Sequence, residues 1–410
     1  MFSALGLLMQ VTAAEPLPTT HSPAPQIEPS AGSTAEPPPS SPPSPPAVAP
    51  APPSEPRYVP FASLEKGMGV ASADGNYSVG VHMLFQTRYE HIEKDGGRED
   101  GFKLIMARPA LRGVAFRRWI EYFFQWELAG GAATLLDAEV AVQPLPEIGI
   151  KVGQFVTPFS REFLVPPGAL LFPDFSPSNI LIRNGRELGA SLVGAFFDKK
   201  LEYWAGASNG NGINKTAGND NAQLEWFGRI AANAIGKPPY TEIPGLTKEE
   251  VGLTFGLNAS YADVEQTSNA LDAKTGAITT TKLGSSPTTK FGFDAWSHCG
   301  PFSLQVEGYS RTVQAVGGGP RKVARGGFAQ AGFFFVPKTL QLAVRGDLTD
   351  TDATHDNVLD KRIDVGVNYY VHANNLKLQA RYAWADSPGA LTPSVKGTSN
   401  TATLQAQLWF

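Results

Sequence analysis

The residues with the clearest chemical potential in this 410-residue chain are basic and recur at alternate positions. Arg108 and Arg112 are out of phase with Ile105, Ala107, Pro109 and Leu111, so an extended chain puts both guanidinium groups on one face. The same parity collects Arg88, Arg229, Arg311, Arg345, Lys377 and Arg381, with Lys151, on the polar faces of their segments. Arginine offers a planar fork matched to phosphate and carboxylate oxygens, so these positions could attract and bind anions. Glu121, Glu127, Asp137, Glu139, Glu307, Asp347 and Asp364 share those faces. They leave a second reading, in which the arginines pair with carboxylates and stiffen the structure.

Other motifs carry less. Residues 206–210 read GASNG and fit G-x-S-x-G, but a nucleophile elbow needs a strand, a sharp turn and a helix, and a Gly/Asn loop follows here. No convergent nucleophile and base is found, so an enzyme is not expected. Asp350, Asp352, Thr354 and Asp356 start like a calcium loop. The required glycine is missing, and Lys361 stands where a bidentate Glu belongs. Arg345–Asp347 spells RGD inside an extended segment, which points to charge pairing rather than adhesion. His82, His298, His355 and His372 have no ligand spacing, so neither a metal nor another cofactor is expected. Cys299 is alone and forms no intrachain disulfide. A net charge of -4 without basic clusters gives no reason to expect nucleic acid.

The elements that would position these residues are strands. From Tyr77 onward the dominant period is two, broken by Gly/Asn/Asp/Pro clusters. Ile363, Val365, Val367 and Tyr369 alternate with Arg362, Asp364 and Asn368; Leu404, Ala406, Leu408 and Phe410 alternate with Thr403, Gln405 and Gln407. About sixteen strands follow, near 77–91, 101–115, 118–129, 134–143, 147–157, 186–197, 200–208, 221–235, 250–262, 288–298, 301–313, 323–336, 338–349, 361–372, 375–386 and 401–410. Their connections alternate long (91–100, 158–185, 209–220, 263–287, 314–322, 350–360, 387–400) and short; 236–249 should be short and is not. One rim with tight turns and one with loops is the pattern of outer-membrane barrels.

A soluble β-sandwich alternates too. Here the polar faces are strongly ionisable, which suits a water-filled lumen. Strand ends are rich in aromatics, as interfacial girdles require: Tyr89, Trp119, Trp126, Trp204, Trp226, Tyr261, Tyr369, Tyr382, Trp384 and Trp409. No stretch approaches the ~20 apolar residues of a membrane helix. In hydrocarbon every backbone group must be paired, so the sheet must close. The fold expected is all-β: a closed antiparallel transmembrane β-barrel of about sixteen strands over 71–410. Half of the 34 prolines precede residue 61, so 15–70 is expected to be a disordered periplasmic segment. Residues 1–14 read as a secretory signal peptide short of its basic end, with cleavage after Ala13 or Ala14.

The segment 158–185 is too apolar for a solvated loop; Phe159, Phe163, Leu164, Leu170, Leu171 and Phe172 need burial. It should fold into the barrel and narrow it, or pack on a neighbouring subunit, holding Arg161, Arg183 and Arg186 near the constriction. Phe410, closing a lipid-facing row, reads as the signal taken up by the barrel-assembly machinery.

Residues 152–164, VGQFVTPFSREFL, together with Arg186–Gly189, Tyr203, Asn209–Gly212, FSLQVEGY at 302–309, NYY at 368–370 and LKLQ at 376–379, resemble the phosphate-selective porin O and P family. The resemblance spans about 75–410, and GQFxTPFSRE is its most specific piece. It implies a sixteen-stranded, homotrimeric porin of the bacterial outer membrane, set in lipid and lipopolysaccharide. The solutes implied are small anions such as phosphate or polyphosphate, passed along lumenal arginines and lysines. The ladder known in that family does not map here residue by residue. The alternative is a non-conducting structural or adhesive barrel whose loops bind partners.

Overall fold

The computed structural model describes residues 58–63, 67–215, 218–219, 221–237, 239–243, 251–271, 278–354, 358–389 and 396–410. The signal peptide and the Pro-rich stretch up to residue 57 lie outside them, as do His355 and Asp356.

The described residues form eighteen strands: β1 Tyr58–Ser63, β2 Gly67–Ser72, β3 Ser78–Lys94, β4 Gly97–Ala115, β5 Arg117–Glu127, β6 Thr134–Leu145, β7 Ile148–Val156, β8 Arg186–Phe196, β9 Leu201–Ser208, β10 Glu225–Ile235, β11 Val251–Leu271, β12 Ile278–Cys299, β13 Phe302–Gln314, β14 Arg321–Val336, β15 Leu340–Asp350, β16 Leu359–His372, β17 Leu376–Ser387 and β18 Gly397–Trp409. β3 to β18 pair with their sequence neighbours, antiparallel throughout, and β18 returns to β3 from Leu84↔Trp409 to Lys94↔Ser399. The barrel is therefore closed with sixteen strands. Closure leaves no edge, as a hydrocarbon environment demands: an unsatisfied backbone group there costs several kcal/mol.

The alternation read from the sequence sets which way each side chain points. Ile363, Val365, Val367 and Tyr369 face outward, while Asp364 and Asn368 are buried inside. β18 repeats the pattern, with Leu404 and Leu408 outward and Thr403, Gln405 and Gln407 inward. Two girdle assignments are overturned. Trp204 and Trp409 point into the lumen, Trp204 against Tyr240 at 6.1 Å and Trp409 against Val165, Ala169 and Leu170. Each shares the parity of its strand's polar face, and that parity decides orientation whatever the side chain.

Three further differences concern boundaries. The connection 91–100 is a hairpin with its turn at Asp95–Gly96, both with positive φ. Around 263–287, β11 continues to Leu271 and β12 begins at Ile278, so much of that loop is a paired ladder. Residues 58–63 and 67–70, expected to be disordered, lie in strands: β1 pairs with β2, and β2 pairs with β3 at Ser78–Val81, below the part of β3 that β18 uses. The two glycines of GMGVAS hide this strand in the sequence. Here they are required: a Cβ on Gly69 would stand 2.0 Å from the Val79 carbonyl oxygen.

The connection between β7 and β8 turns into the barrel. Ser160 caps a short helix at Arg161–Leu164 by accepting from the Phe163 N–H (2.9 Å), and Ser176 with Pro177 starts a second at Pro177–Ile182. Phe159, Leu170, Leu171, Phe172 and Ile182 are fully buried. Such burial contributes roughly 1.5–3 kcal/mol per side chain, which a loop standing in water would forgo.

Candidate functional site

The folded segment lies against one half of the lumen wall and divides the basic residues into two groups. Six are sealed beneath it or beside it. Arg345 donates to Asp364 at 3.1 Å and to the Asp174 carbonyl at 2.9 Å, and stands 3.5 Å from Glu162. Arg88 and Arg381 converge on the Asp174 carboxylate at 2.9 and 2.6 Å. Burial alone would raise the Asp174 carboxyl, but Arg381 and Arg88 outweigh it and hold that group well below the usual carboxylate range. Lys377 donates to the Leu170 carbonyl at 3.0 Å. Arg229 forms a fully buried bidentate pair with Asp294 at 2.5 and 2.9 Å. Arg161 lies between the rings of Tyr240 (4.9 Å) and Trp296 (4.7 Å) and donates to the Pro239 carbonyl. At 1 % exposure it is a pin beneath the segment, away from water.

The other six remain half-buried: Arg108, Arg112, Lys151, Arg183, Arg186 and Arg311. Arg108 pairs with Glu127 at 2.6 Å, Lys151 with Glu139 at 2.8 Å, and Arg186 with both oxygens of Asp137 at 3.0 and 3.1 Å. Arg112 lies over the Phe123 ring at 5.2 Å, and Arg311 donates to the Leu181 carbonyl at 3.1 Å. Arg183 differs from the paired members. Its guanidinium lies over Phe163 at 3.6 Å and Phe175 at 4.6 Å, with no carboxylate in ion-pair range among the described residues. Desolvation lowers its pKa to about 10; Glu162 opposes the shift, and the nearby Arg186 and Arg108 charges add to it.

Sequence reasoning missed Glu162, and it placed Asp347 on the polar face without foreseeing that it anchors the segment. Glu162 accepts from the Ser176 N–H and hydroxyl, each at 2.9 Å, and Asp347 accepts from the Ser178 hydroxyl at 2.6 Å. It also missed what the odd connection after β10 does. Tyr240, Glu242 and Ile243 enter the lumen from the opposite rim, and Glu242 bonds the segment twice, through its N–H to the Ala169 carbonyl and its carboxylate to the Leu171 N–H.

A closed sixteen-stranded barrel, narrowed by an inward segment and lined by arginines, is the build of a diffusion channel. The profile of the family described as phosphate-selective porin O and P matches residues 76–410. The chain belongs to this family. It is an outer-membrane porin, a channel protein of the bacterial outer membrane. No curated protein sequence matches it. Among solved structures, the porin resembles the anion-selective porin from Comamonas acidovorans (TM-score 0.57, 13 % identity, covering 82 % of this chain and 100 % of that one). It also resembles the trimer form of OmpT, an outer membrane protein of Vibrio cholerae (0.56, 14 %, 82 % and 99 %), and the outer membrane channel DcaP of Acinetobacter baumannii (0.52, 12 %, 83 % and 99 %). At these identities the likeness is one of fold. By the rule for such barrels, the rim with the long loops is extracellular and the rim with the turns periplasmic.

Proposed function

We propose that the channel prefers small anions, with phosphate-like and carboxylate solutes as the class, and that the chain works as a homotrimer. The observation that carries the preference is Arg183: a half-buried guanidinium on the inward segment, beside Arg108 and Arg186, with no carboxylate partner in range among the described residues and one terminal nitrogen left without a hydrogen bond. Arg108, Lys151 and Arg186 on the neighbouring wall are each paired with a carboxylate. A narrow, low-dielectric passage magnifies whatever charge is left uncompensated at its wall. The similar fold of an anion-selective porin and of a trimeric outer-membrane protein supports both parts. The test is a salt gradient across a planar bilayer. Wild type should give a reversal potential of anion-selective sign, and Arg183→Ala should move it toward zero; a cation-selective wild type would overturn the assignment.

Phe410 is read as part of the assembly signal. It exchanges hydrogen bonds with Met83 at 2.8 and 3.0 Å and continues the outward row of Leu404 and Leu408. A charge there costs roughly 0–4 kcal/mol with depth. Phe410→Asp should lower the amount of heat-modifiable barrel in the outer membrane; unchanged levels would count against this role.

A further inference from the structure

We propose that residues 239–243 form a crossbar over the periplasmic mouth, which sets the position of the constricting segment and acts as a second size filter. The lumen of a water-filled barrel should be polar, yet two inward patches at this end are not. One, on β8, β9 and β10, consists of Val193, Ala195, Trp204 and Ala231; Tyr240 packs on it. The other, on β14 and β16, consists of Phe334 and Tyr370, and Ile243 is buried against it. β8 and β16 lie half a barrel apart, so a chain anchored at both patches spans the lumen.

Between the anchors the crossbar meets the underside of the segment. The Glu242 N–H donates to the Ala169 carbonyl at 3.2 Å, and the Leu171 N–H donates to the Glu242 carboxylate at 2.7 Å. Arg161 grips the Pro239 carbonyl at 3.0 Å, while the Tyr240 hydroxyl ties the crossbar to Glu202 of β9 at 3.1 Å. The space left between Tyr240, Trp204, Leu164 and Lys151 is a cavity of about 30 Å³, little more than a water molecule needs. The segment is thus held by the wall on one side and by the crossbar from below. An unusually long turn, which strand connection alone does not require, has a use.

The test is Tyr240→Ser combined with Ile243→Ser, with heat-modifiability on gels as the check for a folded barrel. Single-channel conductance should rise roughly twofold, because conduction follows the open cross-section of the narrowest stretch. Polyethylene glycols too large to depress the wild-type current should enter the variant when added on the periplasmic side. A folded double variant with wild-type conductance and polymer cut-off overturns the proposal. If the double variant does not fold, Ile243→Ala decides. It removes one anchor, and a smaller rise in conductance supports the crossbar while none refutes it.

Discussion

The two halves of the lumen wall carry the same residue types and use them differently. On β3, β15, β17 and β18, buried arginines, a lysine and glutamines are covered by the inward segment, and they bond its backbone and Asp174. From β4 to β8, Arg108, Lys151 and Arg186 bond wall carboxylates instead of the segment, Arg112 lies over Phe123, and all four stay half-buried. An inward arginine is therefore a clamp or a side chain left half-buried at the lumen wall according to what the chain lays over it. Strand parity is identical in both halves and cannot tell them apart.

Breaking a clamp should have the largest effect. Arg345→Ala takes the buried cation away from Glu162 and the Asp174 carbonyl while Asp364 keeps Arg362, at a cost of about 1–3 kcal/mol. The expected outcome is a lower unfolding midpoint by heat-modifiability and a noisy, enlarged conductance. Arg183→Ala should leave that midpoint nearly unchanged while shifting selectivity. If the two variants behaved alike, the division of the lumen would fail.

A smaller effect is expected from pH. Burial pushes the Glu162 carboxyl well above its ordinary 4.5, with Glu242 and Glu307 adding to the shift and Arg345 opposing it; burial raises Glu242 as well, against the hydrogen bond from Leu171. The docked segment then binds these protons more tightly than a released one. Their contribution to docking is fully present below 4.5 and is lost as pH rises through the raised values. Acidifying from alkaline buffer should quieten the current and raise the thermal midpoint, and Glu162→Gln should flatten both trends. A wild-type midpoint that fell steadily toward acid would contradict this.

Much of the architecture was legible because period two, repeated over sixteen segments with ionisable inner faces, fits little besides a closed barrel. Ile363 to Tyr369 gave the lipid face of β16, and the apolar run from Phe159 to Leu181 announced a segment that had to be buried. Trp204 and Trp409 were misplaced because a compositional rule, aromatics at interfaces, was set above parity; Trp409 is in phase with Gln405 and Gln407. The crossbar showed in the sequence only as a connection, 236–249, too long for its rim; nothing there said that Tyr240 and Ile243 would seat on opposite walls. Asp174, Glu162 and Asp347 could not be paired in advance: Arg88 and Asp174 are 86 positions apart, and only the closed barrel brings them together.

The short β1–β2 hairpin bears on how the barrel closes. β2 lies along β3 at Ser78–Val81, and β18 lies along the same edge from Leu84 upward, with Phe410 bonded to Met83 between them. Sliding β18 by two residues toward the turn rim would put Phe410 opposite Val81, a berth Met68 already fills. A slip of one would turn the lipid-facing row of β18 into the water. The hairpin is a doorstop at the seam: a strand drawn from sequence far ahead of β18 fixes how far the final zip can run.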